Sequence, residues 1–461
     1  MLRRLGRQGR RAAAALAVAA VMAAPAAAET IADALAFGYE ASGLLEQNRA
    51  LLRAADEDVA QAVGALLPVV NWSASTQFNA PRTAFQDDVG DQITANLQLT
   101  AQITLYDGGA NRLAVDAQKE LVLATRASLR SVELDILLRI AAAYMEVRRN
   151  TEFVTLRQNN LRLITQELRA AEDRFEVGEV TRTDVSLAEA RLAAARSLLA
   201  AEEGALARAV AEYAAAVGRA PGNLSPAGPV SVPATLDEAQ DIAVRTHPAI
   251  DEARHNVSAA EINIARAEAA MRPNLTLQGS VSTDLEGNER AGVGLNLSGP
   301  IYQGGRLASA VRQIMARRDA ARSGLHLSVQ GVTQNVANAW TQLEVARASA
   351  VALDQQVRAA TVAFRSVREE ATLGARTTLD VLNAEQELLD ARANLVSSQV
   401  DETIATYSLL AAMGLLTAEH LGLRVQIYDP AAYYNLVRNA PPALSEQGRA
   451  LDRVLESIGR N

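Results

Sequence analysis

From Ala110 to Val177 the chain runs without a proline or a glycine. The stretch is rich in Ala, Leu, Arg, Glu and Gln, so it reads as one helix closed by Gly178. At roughly 1.5 Å per residue such a helix would be about 100 Å long. A globular domain has no place for a rod of that length. What precedes it is equally restrictive. Leu99, Ala101, Ile103 and Leu105 alternate with Gln98, Thr100, Gln102 and Thr104, the period of a strand with one apolar and one wet face. Tyr106-Asp107-Gly108-Gly109 then hands that strand directly to the rod. A lipid-type strand continued by a very long helix points to a membrane barrel prolonged by a helical tunnel.

Residues 1–28 read as a secretory signal: Arg3, Arg4, Arg7, Arg10 and Arg11, an apolar run from Ala12 to Met22, and Ala26-Ala27-Ala28 before Glu29. The run is too short to span a membrane as a helix, and no later stretch reaches eighteen apolar residues. The chain has no cysteine, which removes disulfides and acylation of a terminal cysteine as anchors. Its net charge is −8 even with the basic leader counted, so nucleic acid is a poor partner.

The chain is also an internal duplication. Thr30, Ala54 and Pro68 recur as Thr235, Ala259 and Pro273, all 205 residues on. Tyr106, Gly108, Gly109, Gly178, Asp184 and Gly218 recur as Tyr302, Gly304, Gly305, Gly374, Asp380 and Gly414, all 196 residues on. The register slips once, between Pro68 and Leu105. The natural place is a hairpin tip, where Ala80–Asp91 is longer than Leu285–Glu289. Each repeat reads helix, strand, strand, long helix, shorter helix. The first repeat is 29–217, with strands at 71–79 and 92–106. The second is 236–414, with strands at 274–284 and 290–302. Pro300 falls near the end of the last strand, where a missing donor is tolerable. The Pro- and Gly-rich linker 218–235 separates the repeats, and 415–461 follows them.

Length places the shorter helices. Segments 181–217 and 236–271 are each about half the rod, and end to end they match it; 378–414 can stack with 30–66 in the same way. The linker would then lie outside the rods at mid-height, joined there by 415–461, whose Pro441-Pro442 and polar end read as poorly ordered. Four strands cannot close a barrel, and open edges are excluded from lipid. The chain must oligomerise, and two, three or four copies satisfy this argument.

The segments 105–118 (LYDGGANRLAVDAQ) and 297–313 (LSGPIYQGGRLASAVRQ), with 175–191 and 371–392, resemble the TolC family of outer-membrane efflux and secretion ducts. The resemblance spans essentially all of 29–461. It implies a homotrimer: a mainly α chain whose four strands per protomer contribute to a twelve-stranded β-barrel in outer-membrane lipid, continued by an α-helical barrel in the periplasm. It implies no cofactor. It further implies a periplasmic adaptor (membrane fusion) protein and an inner-membrane transporter of the ABC or RND type, as in tripartite efflux or type I secretion. The rival classes are a secreted structural coiled coil without a pore, which would not need lipid-alternating hairpins, and the adaptor itself, which would carry one helical hairpin and no membrane strands.

No enzymatic site stands out. His247, His255, His326 and His420 form no HExxH pattern, and no phosphate-loop or GxSxG pattern occurs. The remaining candidates sit at turns. Gly108, Gly109, Gly304 and Gly305 mark the strand-to-helix junctions. Val177-Gly178-Glu179 and Leu373-Gly374-Ala375 end the rods. Gly178 and Gly374 suit left-handed helix caps, and Thr181, Thr183, Thr377 and Thr378 can cap the next helices, with Asp184 and Asp380 near the positive ends. Capping alone would account for these residues. The resemblance implies more: the turns form the periplasmic mouth and dock the adaptor, Arg376 bonds the facing turn at Thr183 or Asp184, and Asp380 rings the constriction. Two positions depart from the family's best-known members. Ala371 stands where they carry a tyrosine, and Asn383 where they carry a second aspartate.

Overall fold

The computed structural model describes residues 28–79, 92–442 and 445–458. The leader and the hairpin tip Ala80–Asp91 lie outside the described residues. Both rods form: α3 (Ala110–Glu176) and α7 (Arg306–Thr372) are 67 residues each. The shorter helices that follow them are α4 (Arg182–Val217) and α8 (Thr378–Ala412).

The segments before the strands, read above as single helices, are each broken. α1 (Ile31–Ala41) and α2 (Gly43–Gly64) meet at Ser42, whose Oγ accepts from Leu45 N at 3.3 Å. α5 (Leu236–Thr246) and α6 (Pro248–Ala269) meet at His247. A proline pushes the residue before it out of the helical region, and His247 accordingly sits at φ −70°, ψ 124°.

The four strands are β1 (Val69–Asn79), β2 (Gln92–Tyr106), β3 (Asn274–Asp284) and β4 (Glu289–Ser298). They form one antiparallel sheet in chain order, β1-β2-β3-β4. The last strand stops at Ser298, short of the expected Tyr302, and Pro300 lies beyond it. Gly299 packs on Pro273 there, and Pro300 has no amide hydrogen to extend the ladder.

The stacking of helices differs from the length argument. Gly218 at the end of α4 meets Ala41 at the α1–α2 break, and Gly414 past the end of α8 meets His247 and Pro248 at the α5–α6 break. Each rod therefore packs beside helices stacked within its own repeat: α2 above α4, and α6 above α8. The columns run α2/α4, α3, α6/α8, α7. The reason lies in the linker and in Glu29. The Glu29 carboxylate accepts from Tyr213 Oη (2.8 Å), Arg219 Nη2 (2.7 Å) and Gly222 N (3.3 Å), which seats the start of the first repeat on the end of α4. The linker then crosses the α3 rod sideways. Ser225 O accepts from Tyr144 Oη (2.7 Å) and Arg148 Nη1 (2.8 Å), and Val230 N reaches Thr406 Oγ1 of α8 (3.4 Å) before α5 begins.

The main core sits at this level. Leu35, Leu137, Ile140, Tyr144, Tyr213, Ile250, Val336, Leu343, Leu409 and Met413 pack together around the rods' midpoints. The tail carries two short helices among its described residues. α9 (Pro430–Val437) lies on α2 through Tyr433, which donates to Glu57 Oε1 at 2.6 Å, and Glu446–Ile458 forms α10.

Candidate functional site

The sheet has two chemically distinct faces. Residues directly opposite in a ladder share a face, and the pairs Trp72↔Leu99, Leu99↔Val281, Ile103↔Leu277, Leu277↔Leu295 and Leu275↔Leu297 form one apolar band across all four strands. The band is bare: Trp72 is 74% exposed, Val293 82% and Leu297 69%. The opposite face carries Ser73↔Gln98↔Ser282, Thr100↔Ser280 and Gln102↔Gln278. An exposed apolar band of this breadth needs lipid or protein against it. Among the described residues the sheet ends at β1 on one side and β4 on the other, and strand edges left open in this way are templates for pairing with another chain.

At the junctions Asp107 sets the turn. Its Oδ1 accepts from Gly109 N (2.9 Å) and its Oδ2 from Asn111 N (2.7 Å), capping α3 in place of a conventional N-cap side chain. Gly108, at φ +67°, lies against the Arg272 side chain and Ala269 O, leaving no room for a Cβ. Gly304 and Gly305 occupy the corresponding turn before α7, in open space.

At the far end of the rods the two tip turns, including Glu179, Asp184, Leu373, Gly374, Ala375, Arg376 and Asp380, line one cleft. Val177 and Leu373 are 70% and 84% exposed, two apolar side chains offered at the tips. Gly178 and Gly374 take the left-handed conformation. The caps form in full: Thr181 and Asp184 exchange backbone and side-chain bonds in a capping box, as do Thr377 and Asp380. These bonds hold both aspartates below the usual carboxylate range; backbone donation from Thr377 leads at Asp380, and the Thr181 hydroxyl leads at Asp184. Thr183 and Thr378 lie within the first turns rather than at the caps.

Arg376 does not reach Thr183 or Asp184 in this protomer. Its Nε binds Glu370 Oε2 at 2.8 Å, because the turn around Gly374 folds Arg376 back on the last turn of its own rod. The bond between repeats is made elsewhere, by Arg191 Nη2 donating to Asn383 Oδ1 at 3.1 Å. Asn383, one of the two departures from the family pattern, thus joins α8 to α4.

Sequence reasoning missed a second link. Asn160 Nδ2 of α3 donates to Glu385 Oε1 of α8 at 2.8 Å, with both side chains buried. Arg368 of α7 lies 3.6 Å from Glu167 of α3 nearby. The available signal was a carboxylate on an apolar stripe, Glu385 set between Leu382 and Leu388–Leu389. Burial pushes the Glu385 carboxyl up to about 7, with Glu167 adding to the rise and Asn160 and Arg368 opposing it. A carboxyl that titrates higher folded than unfolded contributes stability below about pH 4.5 that is lost as pH rises through about 7. The apparent unfolding midpoint should therefore fall between pH 5 and pH 8. Glu385→Gln should flatten that fall by the equivalent of about 2 kcal/mol. An unchanged pH profile in the variant would assign the fall to other groups.

The family model described as outer membrane efflux protein matches residues 40–219 and 241–415. The outer membrane efflux protein BepC of Brucella suis biovar 1 (strain 1330) is 36% identical over 423 residues, 90% of this chain and 91% of that one. The alkaline protease secretion protein AprF of Pseudomonas aeruginosa is 26% identical, over 77% of this chain and 76% of that one. The solved structure of the outer membrane protein VceC from Vibrio cholerae superposes with a TM-score of 0.73 at 22% identity, covering 83% of this chain and 96% of that one.

Proposed function

This chain belongs to the outer membrane efflux protein family, and we propose that three copies of it close one continuous exit duct. It is an outer-membrane protein, and the duct's upper part is the sheet. Three copies of the four-stranded sheet make a barrel with the apolar band against lipid and the Gln, Thr and Ser face toward water. The single observation that carries this reading is that band, continuous over every strand from β1 to β4 among the described residues. A secreted rod without a pore has no use for it.

Below the membrane the columns line a periplasmic tunnel. The tips present Val177-Gly178-Glu179 and Leu373-Gly374-Ala375 to a periplasmic adaptor (membrane fusion) protein, behind which stands an inner-membrane transporter of the ABC or RND type. Both named relatives above are export proteins. The more similar one is an efflux protein, which favours small-molecule efflux over polypeptide secretion for this chain.

Three Asp380 carboxylates then ring the narrow end, held ionised by their caps, where a ring of like charge selects cations. The test is conductance of the purified protein in planar bilayers. The wild type should conduct with a preference for cations, and Asp380→Ala should lose most of that preference while the trimer yield stays the same. A wild type that forms no channel removes the duct. A variant with wild-type selectivity leaves Asp380 as a helix cap alone.

A further inference from the structure

Glu385 lies about two turns into α8, beside a cavity of about 270 Å³ between α8 and both rods. Leu163 of α3, Phe364 of α7 and Leu388 of α8 give the cavity apolar walls. Glu385 lines it too, although only 5% exposed, with Asn160 donating to Oε1 at 2.8 Å. The other carboxyl oxygen, Oε2, has no hydrogen-bond partner among the described residues. A buried polar oxygen left unpaired is costly, and the cavity is the space from which a partner can reach it.

Three guanidiniums frame the same opening: Arg365 and Arg368 from α7, and Arg392 from α8. Arg368 has Glu167 of α3 at 3.6 Å. Arg365 and Arg392 are exposed and make no hydrogen bond or ion pair among the described residues. A link between the repeats needs only the Asn160–Glu385 bond. It gives no reason for two further, unpaired guanidiniums at a cavity with apolar walls. Apolar walls with a few convergent polar groups are the makeup of a small-molecule site, and guanidinium forks match the geometry of a carboxylate.

We propose that this cavity binds a small organic anion, with a compact ring-bearing apolar body against Leu163, Phe364 and Leu388 and one carboxylate held by Arg365 and Arg392 beside Glu385. Every contributing residue belongs to one protomer, so the site stands whether or not three copies close a duct. The occupant touches α3, α7 and α8 at once and ties the two repeats together near the tips. Its binding depends on pH. Burial raises the Glu385 carboxyl to about 7, with Glu167 of α3 adding to the rise and Asn160 of α3 and Arg368 of α7 opposing it. Below that pH the protonated carboxyl donates to an anion, and above it the carboxylate repels one. Guanidiniums do not titrate in this range.

The test is calorimetric titration of the full-length protein in detergent with 2-naphthoate, compared with 2-naphthylmethanol, which has the same rings and no charge. At pH 6 the acid should bind saturably at one site per chain, about tenfold tighter than the alcohol. Arg365→Gln with Arg392→Gln should weaken that binding about tenfold or more, with elution and melting unchanged because neither side chain is bonded. Arg365→Lys with Arg392→Lys, which keeps the charge and loses the fork, should fall between the two. Wild-type binding should weaken about tenfold from pH 6 to pH 8.5, whereas Glu385→Gln should bind equally at both. Binding that does not saturate, or that the Gln double variant retains in full, overturns the site. Equal affinity for acid and alcohol overturns its anionic class, and a pH response that survives in Glu385→Gln overturns the role of Glu385.

Discussion

Leu99→Arg is expected to abolish stable insertion, whereas Thr100→Arg, one residue on, leaves assembly intact. Leu99 sits at the centre of β2, between Trp72 and Val281 on the apolar band. An arginine at the lipid face of a barrel midplane costs about 2–4 kcal/mol, and the trimer carries the substitution in every copy. Thr100 lies on the other face, between Asn71 and Ser280, where a charge meets water. The measurement is the amount of SDS-resistant trimer in the outer-membrane fraction. Equal recovery of the two variants would mean that the apolar band does not face lipid.

Gly414→Val should lower the apparent unfolding midpoint more than any tip substitution. Gly414 has φ +75°, and a Cβ there would stand 2.8 Å from His247 Cα, 3.0 Å from Pro248 Cδ and 3.1 Å from Thr246 O. Backbone atoms cannot step aside as a flexible side chain can. Left-handed strain and overpacking together cost on the order of 3–5 kcal/mol. They fall where the α8 column joins α6, at the point where Thr246 Oγ1 donates to Met413 O at 2.8 Å. Gly374→Ala is the comparison. It shares the positive φ but has open space around it, so it should lose only about 1 kcal/mol. Matching midpoints for the two variants at one scan rate would show that the column junction tolerates the clash.

Much of this architecture is legible in the sequence because its signals are local. Period-two alternation announced four strands and the apolar face of each. The absence of Pro and Gly announced the rod Ala110–Val177, and Gly178 and Gly374 announced where the rods turn. The repeat offsets announced that the second half would copy the first, and the rods indeed have equal length. Helix breaks were less legible. His247 before Pro248 carries a recognisable signal, but Ser42 breaks its helix with no proline beside it.

Partner choice between distant segments had no local signal. Helix length allowed 181–217 to stack on either candidate, and only the Glu29 contacts and the sideways path of the linker decided that each repeat stacks on itself. Arg376 had acidic groups available on both turns, and the fold-back at Gly374 brought it to Glu370. Asn160 and Glu385 stand 225 residues apart in the chain, on helices from different repeats. Periodicity reports which face of a helix is buried, because that depends on neighbours three and four residues away. Which helix covers that face depends on how the chain crosses from one column to the next, and that crossing is settled only when the columns pack.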